Sequence, residues 1–200
     1  MGIIAKDNSG KDFKPLPQGT HIAVCNLVAD CGVQSGGRFK PQRKVYIRFE
    51  IAAERLEYEK DGQRHEGPMQ IGKFYTLSLS EKANLRRDLV AWRGQQFTPQ
   101  ELAGFDIAKV LGAACQITVA HATGADGKVY ANIIGIAGLP RGAARPNAER
   151  PLLLFSPDDR SGFDKLPEWL QERIKDARGA SEEVGSRCTS HEDFDDDVPN

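Results

Sequence analysis

Cations and an aromatic ring alternate in one short segment of the chain, Lys44-x-Tyr46-x-Arg48. Side chains two residues apart lie on the same face of a β-strand, so an extended segment presents all three together. Non-specific binding of single-stranded nucleic acid uses cations along the phosphate path and aromatic faces for base stacking, each stack contributing about 1–3 kcal/mol. The segment therefore predicts a face that binds single-stranded nucleic acid.

Neighbouring segments extend this candidate face through a Gly-rich basic loop, a third strand and a later hairpin. The register of the third strand is left open: Phe74 joins the face if Tyr75 points inward, and Lys73 and Tyr75 join it otherwise. A single tyrosine between cations is equally well explained as a cross-strand pair on a solvated face, but several aromatic residues interleaved with cations favour binding. The candidate residues are Arg38, Phe39, Lys40, Arg43, Lys44, Tyr46, Arg48, Lys73, Phe74, Tyr75, Lys128 and Tyr130.

Five segments have the patterning of strands. In the clearest, Val45, Ile47, Phe49 and Ile51 alternate with polar residues, which predicts a half-buried strand whose apolar side faces the core. A loop is predicted at residues 31–43 and a turn or long hairpin connection at Glu57 to Pro68. The predicted strands are residues 20–30, 44–51, 70–79, 114–121 and 129–137.

After the third predicted strand, the apolar residues recur every three to four positions, which is the spacing of a helix. Leu85, Leu89 and Trp92 share one stripe, with Ser80 as the expected N-cap and Gly94 as the expected end. The cationic residues of this helix are expected to lie on its solvent side: Arg86, Arg87 and Arg93.

Three shorter helical segments follow. Thr98-Pro99-Gln100-Glu101 combines a cap, a proline at the first helical position and a glutamate placed for a capping box. Residues 106–111 and Pro167 to Ala177 are predicted as further short helices, the second docking on the main domain.

The predicted elements follow the order three strands, one helix, two strands, which is that of a five-stranded OB-fold. This fold is a Greek-key barrel whose binding face lies on strands two and three. A β-sandwich or an SH3-like barrel uses similar strands. The predicted organisation is a mainly β OB-fold domain at residues 1–140, a linker and short docking helix at 141–180, and a disordered acidic tail at 181–200.

The charge of the chain is divided between these regions. Residues 1–180 contain 26 Lys and Arg against 21 acidic residues, whereas residues 181–200 contain seven acidic residues and one arginine. The formal net charge of −1 therefore combines a basic body with an acidic tail. This asymmetry is typical of a nucleic-acid-binding protein with a separate protein-interaction segment.

The acidic tail, Asp193-Phe194-Asp195-Asp196-Asp197-Val198-Pro199, resembles the C-terminal tip of bacterial single-stranded DNA-binding proteins, which recruits replication and repair partners. The segment from Phe74 to Arg86, with Trp92-Arg93-Gly94 and Leu166-Pro167-Glu168-Trp169-Leu170, is similar to phage-encoded single-stranded DNA-binding proteins. The resemblance implies protection of single strands during phage DNA replication or recombination. It departs at Asn200, where the bacterial tip has the phenylalanine that fills a pocket on the partner.

No phosphate-binding loop and no metal-ligand spacing of His or Cys occurs in the sequence, so we expect a protein without enzymatic activity, cofactor or metal. Two alternatives stay open: a protein-interaction adaptor, such as a helicase loader or an inhibitor of host replication proteins, and a metal-dependent nuclease. The four cysteines show no pairing motif and are interpreted as reduced thiols, which favours the host cytoplasm. No membrane association is expected, and the oligomeric state is left open, a homo-oligomer included.

Overall fold

The five segments with strand patterning all form strands in the computed structural model, which describes residues 14–36, 39–60 and 62–187. The chain is mainly β, as predicted. The strands are β1 Gly19–Gly36, β2 Phe39–Lys60, β3 Gln63–Thr76, β4 Ala114–Thr123, β5 Val129–Ala137 and β6 Leu153–Phe155; the helices are α1 Asn84–Arg93, α2 Pro99–Ala103 and α3 Glu168–Arg187, with 3₁₀ turns at Ile107–Val110 and Arg160–Lys165.

The five long strands form one curled antiparallel sheet in the order β3-β2-β1-β4-β5. The short strand β6 pairs in parallel with β1 at Leu27–Ala29, beyond the stretch where β1 pairs with β4. The edge strands β3 and β5 approach each other, and α1 packs against both. The sheet is therefore a half-barrel with α1 at its open side.

The alternation in β2 predicts the inside of this half-barrel correctly. Val45, Ile47, Phe49 and Ile51 are all buried in the main core. The α1 stripe packs against them, with the rings of Phe49 and Trp92 5.5 Å apart. Trp92 is buried in the main core, and its indole N–H donates to the Ala114 carbonyl at 3.0 Å.

The outer face of the same strands holds a second core, which the sequence analysis did not predict. The helix α3 packs on β1 there and reaches Tyr46 of β2 and Phe74 of β3 through Trp169. It contributes Leu170 and Ile174, both fully buried, to this second core. The buried Gln34 amide donates to the Arg173 carbonyl of α3 at 3.1 Å and fixes the helix to β1. The predicted short docking helix at 167–177 corresponds to the first part of the longer α3, which packs on the outer face of the sheet.

A buried carboxylate connects the chain before β6 to this outer face. Glu50 of β2 accepts the backbone N–H groups of Glu149 at 2.6 Å and Arg150 at 3.2 Å. It also accepts the Asn26 amide at 3.1 Å, and Asn26 in turn accepts Arg48 Nε at 3.0 Å. Because Glu50 is only 2 % exposed, these donors supply the hydrogen bonds that its charge needs out of water.

Two segments predicted as connections are strands instead. β1 continues to Gly36 and β2 begins at Phe39, within the predicted loop 31–43. β2 continues to Lys60 and β3 begins at Gln63, within the predicted connection at 57–68. Most residues of the β2–β3 arm from Glu57 to Glu66 are exposed, so they have no buried face to produce an alternating pattern. In the β1–β2 arm, Cys31 and Gln34 are buried, but the glycines and polar residues around them resemble a loop.

The helix boundaries differ from the sequence predictions at the start of α1 and at the end of α3. α1 begins at Asn84 with Ala83 as N-cap and no capping side chain, so the prediction of Ser80 as the cap is wrong. Gly94 ends α1 in the left-handed conformation, as predicted. The helix α3 runs to Arg187, so residues 181–187 are helical and not part of a disordered tail; residues 188–200 lie outside the described residues.

The described cysteines are free thiols, as expected of reduced residues. Cys25, Cys31 and Cys115 are buried, and burial raises the pKa of Cys25 and of Cys31 to about 12. None of the helices in the described part of the chain combines the length and apolar character needed to cross a lipid bilayer.

We predict that Glu50→Ala lowers the free energy of unfolding by about 2–5 kcal/mol, because it leaves the donors of Asn26, Glu149 and Arg150 without their acceptor. Urea unfolding measures this change. Glu57→Ala, at an exposed position of the same strand, is the control and is expected to change stability by less than about 0.5 kcal/mol. Equal effects of the two substitutions would contradict the role of the Glu50 carboxylate.

Candidate nucleic-acid interface

Tyr46, the aromatic residue at the centre of the predicted face, is buried. It lies on the outer side of β2, as its position in the strand predicts, but α3 covers it and leaves it 7 % exposed. Its ring packs 4.7 Å from Phe74 and 5.2 Å edge-on from Trp169. The expectation that Tyr46 is exposed for base stacking is therefore wrong, because the chain's own C-terminal segment occupies its ring.

The cations that flank Tyr46 in β2 are also engaged within the chain. Arg48 is half-buried, its Nε donates to Asn26, and burial lowers the pKa of its guanidinium. Lys44 donates to Thr76 Oγ1 at 2.7 Å and to Gln42 Oε1 at 3.4 Å. Lys44, Tyr46 and Arg48 share one face, as predicted; Lys44 and Arg48 are half-buried, and Lys44 lines a polar opening.

Of the four candidate residues in the β1–β2 hairpin, Lys40 and Arg43 are exposed, and the side chains of Arg38 and Phe39 are not described. Arg43 is exposed and pairs with Asp30, whose carboxylate raises the pKa of the guanidinium. Lys40 is exposed. Phe39 is the first residue of β2, and the prediction for its side chain, like that for Arg38, lies outside what the structure describes.

The register of β3 puts Phe74 on the Tyr46 side and Tyr75 on the core side. Phe74 is half-buried beneath α3, with the Arg173 guanidinium 4.4 Å from its ring. Tyr75 is buried and donates to Asp88 at 3.0 Å, and Lys73 pairs with the same carboxylate at 2.8 Å. These three predicted residues therefore have structural partners within the chain.

Lys128 and Tyr130 remain accessible in the β4–β5 hairpin. Tyr130 is 43 % exposed, and its hydroxyl donates to Asp126 at 2.7 Å. The same carboxylate accepts the Lys128 backbone N–H, so the turn holds the ring in place. Within the described residues, no aromatic or cationic side chain stacks on Tyr130.

Tyr130 borders a groove of about 360 Å³ between the β2–β3 hairpin and β5. We call this the tyrosine groove and define it by Lys14, Tyr58, Gln70, Tyr130 and Arg150, with an apolar floor of Leu16, Leu56, Pro68, Met69 and Ile71. Its lining combines Gln70 of the outer face with Leu16, Met69 and Ile71 of the main core, so it opens at the edge of β3, next to β5. The tyrosine groove is therefore separate from the covered face around Tyr46.

A stack of three side chains forms one wall of the tyrosine groove. The Tyr58 ring stacks on His65 of the paired strand, with centroids 5.6 Å apart and planes at 24°. The Arg150 guanidinium lies 5.4 Å from the Tyr58 ring. This cation–π contact holds the charge of Arg150 at the lining of the tyrosine groove.

Two glycines make room for these side chains. A Cβ at Gly67 would lie 2.8 Å from Arg150 Nη2 and 3.3 Å from Tyr58. A Cβ at Gly124 would lie 2.7 Å from the ring of Tyr130 and 2.7 Å from Asp126. The two hairpins therefore approach the groove side chains closely only because these positions lack a side chain.

Two of the groove's nitrogen atoms have no hydrogen-bond partner. Among the described residues, three buried side-chain nitrogens lack one, and Gln70 Nε2 and Arg150 Nε both belong to the tyrosine groove. Buried donors are almost always satisfied in folded proteins, so donors without an acceptor mark a place where a ligand or water supplies it. The nearby acids Glu66 and Glu149 are both paired with Arg55, which leaves Arg150 uncompensated by them.

Lys14, Tyr58, Gln70 and Arg150 were not predicted as site residues. Tyr58 lies in the segment predicted as a connection at 57–68, Gln70 lies at the start of the predicted strand 70–79, and Arg150 lies in the predicted linker. The one signal in this part of the sequence concerns another residue: Gly72 interrupts a strand, which indicates close approach of another group. That group is Tyr46 of the covered face, whose hydroxyl would lie 2.0 Å from a Cβ at position 72.

No cluster of three or more His, Cys, Asp or Glu side chains suited to a metal ion occurs within the described residues. No family model, curated protein or solved structure matches the chain. What the protein does is therefore argued from the geometry of the tyrosine groove and its surroundings.

We predict that Tyr46→Ala lowers the free energy of unfolding by about 3–5 kcal/mol, because it empties a site packed by Phe74 and Trp169. Tyr130→Ala, the same substitution at an exposed ring, is the matched control and is expected to cost less than about 1 kcal/mol. Urea unfolding of both variants compares them. A stability change at Tyr46 no larger than that at Tyr130 would show that α3 does not cover the outer face in solution.

Proposed function

We propose that this chain binds single-stranded DNA without sequence preference, through the tyrosine groove of an OB-like barrel, in the replication or recombination of phage DNA. The observation that carries the proposal is the tyrosine groove itself: an accessible ring, two cations and two unpartnered nitrogens around one opening. The order of strands in the curled sheet, with α1 between β3 and β4, favours the OB-fold topology for the half-barrel.

The chemistry of the tyrosine groove suits an unpaired strand. A base stacks on the free ring of Tyr130, and a second base or a phosphate meets the Arg150 guanidinium held on Tyr58. Lys14, exposed at the rim, neutralises a phosphate. Bases in a duplex are stacked on one another, so their faces are not available to Tyr130, and the groove therefore favours single strands.

A second polar opening of about 360 Å³ extends the path toward the other end of β3. It is lined by Lys44, Thr76, Ser80 and Lys82, with the edge of Phe74. Gln70 and Thr76 are six residues apart in β3, so the two openings are separated by about 20 Å along the strand. A strand of several nucleotides that runs along β3 reaches both, and Lys44 then keeps the role predicted for it.

We expect Tyr130→Ala to weaken the binding of oligo-dT by about 5- to 100-fold, because one base loses its stacking surface. Tyr130→Phe keeps the ring and loses only the hydrogen bond to Asp126, so its affinity is expected to stay within about threefold of the parent protein. Fluorescence titration with oligo-dT, and with a duplex of the same length, measures both. Tyr58→Ala and Tyr58→Phe form a second matched pair for the orientation of Arg150.

Three results of this titration would contradict the proposal. They are the absence of oligo-dT binding, equal affinity for the duplex, and equal loss in Tyr130→Ala and Tyr130→Phe. The first result favours the protein-interaction adaptor. Incubation of labelled single strands with Mg²⁺ or Mn²⁺ tests the nuclease alternative, since strand cleavage would contradict a binding-only function.

The acidic residues 193–199 belong to the proposal as a segment that competes with DNA for the basic body. Five of the last nine residues of the chain are acidic, whereas residues 1–180 carry a net charge of +5. An anionic segment on the same chain is present at high local concentration and lowers the apparent affinity for DNA. Recruitment of replication or recombination partners is the second role proposed for the same residues.

Deletion of residues 188–200 is expected to strengthen oligo-dT binding at low salt, with the difference decreasing as salt screens the competing charges. Titrations of both proteins at two salt concentrations measure this. A variant in which Asp193, Asp195, Asp196 and Asp197 are replaced by asparagine is the matched control and is expected to reproduce the effect at full length. Weaker binding after deletion would refute the competition.

A further inference from the structure

A cavity of about 750 Å³ lies away from the tyrosine groove, where the C-terminal end of α1 meets the start of β4 and the chain after β5. Its lining includes Arg93, Phe105, Lys109, Arg145 and the backbone around Gly138. Ligand pockets in proteins commonly have volumes of about 300–1,000 Å³. We call this space the Arg93 cavity.

The wall of the Arg93 cavity is built around one arginine. The guanidinium of Arg93 lies 4.5 Å from the Phe97 ring and 5.0 Å from the Phe105 ring. The Phe97 and Phe105 rings pack edge to face at 5.1 Å, so together they fix the plane of the guanidinium. Only 17 % of the Arg93 side chain is exposed, and the prediction that it belongs to the solvent side of α1 is therefore wrong.

A local capping motif holds Arg93 from its other side. Arg93 Nη2 pairs with Glu101, whose second oxygen accepts the Thr98 backbone N–H at 2.9 Å in the capping box of α2. The Thr98 N–H, with Arg93, lowers the pKa of Glu101, which therefore stays ionised at neutral pH. Arg93 is thus held on three sides by two rings and a carboxylate.

One donor of this fixed guanidinium is unused. Arg93 Nη1 is the third buried side-chain nitrogen that lacks a partner among the described residues. Two more cations line the same cavity: Lys109, 5.7 Å from the Phe105 ring, and Arg145, both exposed. Among the described residues that line the cavity, Glu101 is the one carboxylate, and it is already paired, so this lining carries an excess of positive charge.

We propose that the Arg93 cavity binds a phosphate group. A planar guanidinium with a fixed orientation matches phosphate oxygens geometrically, and the two exposed cations supply further charge for an anion that carries several acceptors. The phosphate belongs either to a free nucleotide or to a DNA strand. The proposal does not depend on the tyrosine groove, since the two sites have no lining residue in common.

The test uses the full chain with three probes, dTMP, inorganic pyrophosphate and oligo-dT, in isothermal titration. The test variant is Lys109→Gln with Arg145→Gln, which removes two exposed charges and leaves the anchored Arg93 in place. The control is Arg141→Gln with Lys165→Gln, which removes two exposed charges outside the cavity. Thermal unfolding without ligand checks that all variants are folded.

We expect at least one probe to bind the parent protein saturably and roughly tenfold more weakly to the test variant, with the control variant unchanged. An effect on dTMP or pyrophosphate identifies a nucleotide pocket, and an effect on oligo-dT alone identifies a DNA phosphate. If Tyr130→Ala weakens the binding of the probes and the test variant binds them as tightly as the parent protein, the proposal for the Arg93 cavity is overturned and the tyrosine groove is supported. Equal losses in the test and control variants would also overturn it, because general charge would then explain the binding.

Discussion

The buried carboxylate of Glu50 is the interaction on which the arrangement of this protein depends. It accepts two backbone N–H groups from Glu149 and Arg150 and the amide of Asn26, and so fixes the returning chain against the outer side of β2. From that point the chain continues through β6 and α3, which cover Tyr46 with Leu166, Leu170 and Ile174. A charged group buried at this position needs these donors, and the donors need the chain to cross the sheet here.

This crossing determines which part of the predicted face can meet a ligand. The centre of the outer face is a second core, while the tyrosine groove at the edge of β3 and the opening beside Lys44 stay open. The same segment that closes the centre delivers Arg150 to the groove, where Tyr58 orients it. The C-terminal segment thus contributes to the proposed site as well as to stability. Arg93, which carries the third buried nitrogen without a partner in the described part of the chain, lines the Arg93 cavity, so all three of these nitrogens belong to residues that line openings with cations.

The local patterns predicted the elements well and their packing poorly. Alternation in Lys44–Ile51 identified the inside of the half-barrel, and the stripe of Leu85, Leu89 and Trp92 identified α1, because in both cases one face is buried and the other is not. The same alternation made Tyr46 look exposed, because a tyrosine between two cations is compatible with a solvated face and with one covered later by α3. The groove residues Tyr58, Gln70 and Arg150 come from an arm, a strand end and a linker, and only the folded chain brings them together.

We propose that DNA meets this protein at the tyrosine groove and not at the covered centre of the outer face. Ultraviolet cross-linking of oligo-dT to the full chain, followed by mass spectrometric mapping of the modified peptides, tests this proposal. We expect cross-links at Tyr130 and in the segment around Tyr58, with none at Tyr46. Cross-links centred on Tyr46, Phe74 and Trp169 would contradict it, because they would require α3 to leave the outer face when DNA binds.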